Sequence, residues 1–72
     1  MKQLTQANLS DLGDKYTWLA INKYGELHGY EEKPVPCGTV SGYEHQRTAI
    51  WLGRDYDATD WENSAIRREE VA

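Results

Sequence analysis

Apolar and polar positions are most clearly patterned between Tyr16 and Glu32. There two short runs of β-favouring residues, Trp18-Leu-Ala-Ile21 and Leu27-His-Gly-Tyr30, flank Asn22-Lys-Tyr-Gly25. Asn where a type I turn starts, and Gly where φ must be positive, predict a β-hairpin closed by a glycine bulge. The turn sets the register: Ile21 faces Leu27, Leu19 faces Gly29 and Trp18 faces Tyr30. Leu19, Ile21 and Leu27 then share one wholly apolar face, the expected buried set. Trp18, Ala20, His28 and Tyr30 share the other. The His28 ring nitrogens need water or a partner, so this second face is expected to stay partly accessible. Tyr24 is expected to be exposed at the tip.

Signals elsewhere are weaker. Residues 1–13 are polar with sparse Leu4, Leu9 and Leu12, and Ser10-Asp-Leu-Gly13 predicts a turn or short 3₁₀ segment ended by Gly13. Pro34 and Pro36 end the second strand because neither can donate to a ladder. The stretch from Cys37 to Gln46, with two glycines and no period, reads as a loop. A third strand is predicted over Arg47–Gly53. Thr59 and Glu62 match a capping box. The apolar positions that follow make a poor helical stripe, so one helical turn at Asp60–Ser64 and a short strand through Ala65–Glu69 are preferred over a helix reaching Glu70.

At 72 residues the chain makes one small domain, residues 1–72, with an N-terminal segment at 1–13 and a core at 16–69. The single Cys37 excludes an internal disulfide and favours a reducing compartment. No leader-like h-region and no run of roughly 18 apolar residues is present, so the expectation is a cytoplasmic protein with no membrane segment. Twelve acids against eight bases give a net charge of −4. That balance disfavours a duplex binder, which draws affinity from a basic stripe. Three Trp and five Tyr with no Phe are an aromatic choice suited to half-exposed positions and interfaces.

Candidate chemistry is sparse. Asp55 and Asp57 imitate the start of a calcium loop, but Asp60 stands where that loop needs glycine and Ile66 where it needs a carboxylate. Such acids ordinarily cap local amides in a solvated loop. Cys37, His28 and His45 lack the short spacing of a zinc site, and no third group orients a Cys–His pair. Gly38-Thr-Val-Ser-Gly42 lacks the Lys and spacing of a phosphate loop. Expectations are therefore no catalytic residues, no cofactor and no metal. Trp18, Tyr30, Trp51 and Trp61 are either the core of a chain without Phe or an exposed docking patch. Core placement is the preferred reading for Trp18 and Trp51.

Trp18-Leu-Ala-Ile-Asn-Lys-Tyr-Gly25, then Tyr30 and Pro34, Ile50-Trp-Leu-Gly53 and Asp60-Trp-Glu-Asn-Ser-Ala-Ile-Arg-Arg-Glu69 follow in order over residues 16–69. In this pattern the chain resembles short uncharacterised proteins encoded by tailed bacteriophages and prophages; Ala65 stands where a bulkier aliphatic residue is usual. The resemblance implies a phage accessory product of a kind that often binds a host protein, and it assigns no functional residue.

The expected fold is α+β and mostly β: a small antiparallel sheet of three to four strands built on the hairpin at residues 16–32, with at most one short helix. The expected function is non-enzymatic. It is to bind and modulate a host protein in the bacterial cytoplasm, with Trp18, His28, Tyr30 and Tyr24 as candidate contacts. The rivals are a nucleic-acid-associated regulator using Arg47, Arg54, Arg67 and Arg68, and a structural or virion-associated component that self-assembles. A homo-oligomer is open in each case.

Overall fold

A computed structural model describes residues 1–10 and 12–71. Six short strands make two antiparallel sheets: β1 (Trp18–Ile21), β2 (Leu27–Tyr30), β3 (Pro36–Cys37), β4 (Gly42–Tyr43), β5 (Ile50–Gly53) and β6 (Ile66–Arg67). The larger sheet runs β5-β2-β1-β6, and β3 pairs with β4 in a two-stranded ribbon. The only helical segments among the described residues are single 3₁₀ turns at Gln6–Leu9, Gly38–Val40, Trp61–Asn63 and Arg68–Glu70. The small, mostly β, antiparallel class expected from the hairpin is the class observed.

The hairpin forms in the register its turn dictates, with Trp18 opposite Tyr30, Leu19 opposite Gly29 and Ile21 opposite Leu27. Asn22 holds the turn. Its Oδ1 accepts from the Tyr24 and Glu26 amides at 2.9 and 3.0 Å, while its Nδ2 donates to the Glu26 carboxylate at 2.8 Å. This is the local side-chain-to-backbone bonding that makes Asn a turn residue. Gly25 closes the turn at φ +79°. It also meets the chain returning from β5, where the Tyr56 amide donates to the Gly25 carbonyl at 3.0 Å. A Cβ on Gly25 would lie 2.7 Å from the Tyr56 carbonyl oxygen, so the turn and the docking contact both require glycine.

The sheet is covered on both faces, unequally. Leu19, Ile21 and Leu27 are buried with Leu9, Leu12, Tyr56 and Val71. The core thus reaches outside residues 16–69 at both ends. The N- and C-terminal segments are tied together over this face. Gln6 Nε2 donates to the Arg68 and Val71 carbonyls at 2.8 and 2.9 Å, and the Arg68 guanidinium donates to the Leu12 and Gly13 carbonyls at 2.9 and 2.8 Å. On the opposite face Ala20, Tyr30 and Tyr43 are buried, with Trp18, Ala49, Trp61 and Ala65 packed around them.

One hydroxyl completes the β1 edge. Strand β6 pairs with β1 only at Trp18–Arg67 and Leu19–Ile66. Where β6 ends, Ser64 Oγ takes its place. It accepts from the Ile21 amide at 2.9 Å and lies 2.9 Å from the Ile21 carbonyl and 3.0 Å from the Tyr43 hydroxyl. The Tyr43 hydroxyl in turn donates to the Trp61 carbonyl.

Several expectations need correction. The stretch from Cys37 to Gln46 is no plain loop, because Cys37 and Gly42–Tyr43 belong to the β3–β4 ribbon. Pro36 is tolerated there as the first residue of an edge strand, where a missing N–H costs nothing. The third strand starts at Ile50 rather than Arg47, since the Ala49 amide closes a turn on the Gln46 carbonyl. Thr59 caps nothing: its amide and hydroxyl both bond Asp57 Oδ1, at 2.9 and 2.6 Å. The single turn at Trp61–Asn63 and the strand at Ile66–Arg67 match the preferred reading of that segment. The 3₁₀ turn of the N-terminal segment lies at Gln6–Leu9, and the Leu12 amide then closes a turn on the Leu9 carbonyl at 3.0 Å; Asp11 in the expected turn is outside the described residues. Trp51 is not in the core. It is 55 % exposed, because β5 is the sheet's edge and has no further strand beside it among the described residues.

Two stability outcomes follow. Gly25→Ala should cost about 1–3 kcal/mol from the positive φ and the collision with Tyr56; an unchanged urea midpoint would contradict the docking contact. Ser64→Ala leaves the Ile21 amide without its acceptor, a loss of roughly 1–3 kcal/mol. Hydrogen exchange should then show the Ile21 amide losing protection more than its neighbours in β1.

Candidate functional site

A broad concavity lies between the second hairpin face and the β3–β4 ribbon. It is an open groove of about 500 Å³, walled by Asn22, His28, Tyr30 and Tyr43 and rimmed by Cys37, Val40 and Glu44–Gln46. The ribbon is pinned to the hairpin at both ends, which keeps the groove open. At the tip the Lys23 amide donates to the Ser41 carbonyl at 2.9 Å. At the far end Gln46 bonds both backbone groups of Glu32, donating to its carbonyl at 2.8 Å and accepting from its amide at 3.2 Å.

The wall is a row of rings. His28 and Tyr30 have centroids 6.3 Å apart, Tyr30 and Tyr43 6.3 Å, and Tyr43 and Trp61 6.1 Å in an edge-on arrangement at 83°. Such tilted and edge-on contacts suit the ring quadrupoles. The row is anchored at its inner end by the Tyr43 hydroxyl, held at Trp61 and Ser64. Burial raises the Tyr30 phenol above its ordinary pKa of 10.0, and the nearby Tyr43 phenol pushes it the same way. At the opposite electrostatic extreme, the exposed Asp57 carboxyl is held below its ordinary value by the Thr59 hydroxyl and amide.

The four candidate contacts part company. His28 and Tyr30 line the groove together. Tyr30 is only 6 % exposed and serves as wall, whereas His28 is half-buried and reachable. Trp18 sits apart, with the Lys33 ammonium and the Arg67 guanidinium each 5.8 Å from its ring centroid. Tyr24 is 70 % exposed at the hairpin tip and outside the groove. Tyr43, Val40 and Cys37 belong to the site but carry no periodic signal in a stretch that reads as loop; only the excess of Tyr over Phe hints at them.

The groove offers a mixed set of donors and acceptors: two imidazoles, a phenol edge, a thiol and the Gln46 amide, with Glu44 as its one carboxylate. Among the described residues, no group of three or more His, Cys, Asp or Glu could hold a metal ion, and no helix is long and apolar enough to cross a membrane. A smaller notch of about 270 Å³, lined by Gln6, Thr17 and Arg67–Glu69, has Gln6 and Arg68 already committed to backbone carbonyls. In comparisons with protein-family models, curated proteins and solved structures, nothing matches the chain.

The raised Tyr30 pKa has a direct consequence. The folded state holds this proton more tightly than the unfolded chain does. The resulting stabilisation is whole below pH 10.0 and is lost as pH rises through the folded-state value. Denaturation curves should show stability falling above pH 10.0, with a shallower fall in Tyr30→Phe.

Proposed function

We propose that this chain is a non-enzymatic binding protein that holds a surface segment of a partner protein in the groove between β2 and the β3–β4 ribbon. The observation that carries this reading is the groove itself. Its wall is a rigid aromatic row, its ends are pinned by backbone bonds, and its rim exposes Val40 beside the half-buried His28 and Cys37. Aromatic walls with a few hydrogen-bonding edges are the usual make-up of an energetic centre in protein recognition. The resemblance to phage and prophage products makes the partner a protein of the bacterial host, met in its cytoplasm.

The nucleic-acid reading, which rests on Arg47, Arg54, Arg67 and Arg68, is weaker because two of the four are engaged within the fold. Arg68 is tied to Leu12 and Gly13, while Arg67 rests on Trp18 and bonds Glu69 at 3.2 Å. Two such arginines contribute little to phosphate neutralisation.

An affinity pull-down from host lysate with the parent chain should retain a partner. Val40→Asp and His28→Ala should each weaken that capture about tenfold without lowering the melting temperature, while Tyr24→Ala should leave it unchanged. A partner held equally well by both groove variants would place recognition elsewhere.

A further inference from the structure

We draw no further inference here: the strongest candidate, the exposed apolar edge of the larger sheet at Ile50 and Trp51 on β5, carries none, because nothing in the structure shows what covers it.

Discussion

The rest of the structure hangs on one backbone-to-backbone approach, that of the hairpin tip at Gly25 to Tyr56. It converts a local turn into a long-range anchor. With the tip docked, the chain leaving β5 must pass under the hairpin, which seats the Tyr56 ring in the core beside Leu19 and Leu27. The N-terminus follows, as the Lys2 amide donates to the Asp55 carbonyl at 2.7 Å and residues 2 and 56 form a bridge. Three parts of the chain therefore come together around one residue that has no side chain.

A sheet with strands of four residues or fewer cannot shelter its own faces, and the surrounding chain is too short to form helices that would. Irregular segments do the work instead, fixed by side chains that bond backbone: Asn22 at the turn, Ser64 at the β1 edge, Gln46 on Glu32, Gln6 and Arg68 between the ends. Each such bond is worth only about 1 kcal/mol. Together they hold backbone groups that a larger protein would satisfy with regular ladders.

How much was legible in the sequence divides along the same line. The hairpin register and its buried face could be read because turn chemistry acts over four residues and alternation over two. The β3–β4 ribbon could not, since its two-residue pairing depends on Ser41 meeting Lys23 and Gln46 meeting Glu32 across the fold. Ser64 looks like any serine until a segment 43 residues away presents an unpaired amide. Trp18 and Trp51 sit in similar local sequence, and only strand order, which alternation does not encode, makes the first half-buried and the second exposed. The groove was half legible for the same reason: His28 and Tyr30 share a predictable face, whereas the opposite wall comes from a stretch without period.

The tie between Gln6 and Arg68, 62 residues apart in sequence, bears on how the molecule folds. Local interactions can close the hairpin on a microsecond timescale, but the large apolar face stays open until Leu9 and Val71 arrive from opposite ends of the chain. Topologies dominated by such distant contacts fold slowly for their size. The hairpin is thus the natural nucleus, and the clasp between the two ends is the last part to close. The same clasp is the first to part when the fold breathes, so amide exchange in this small domain begins at its seam rather than at its sheet.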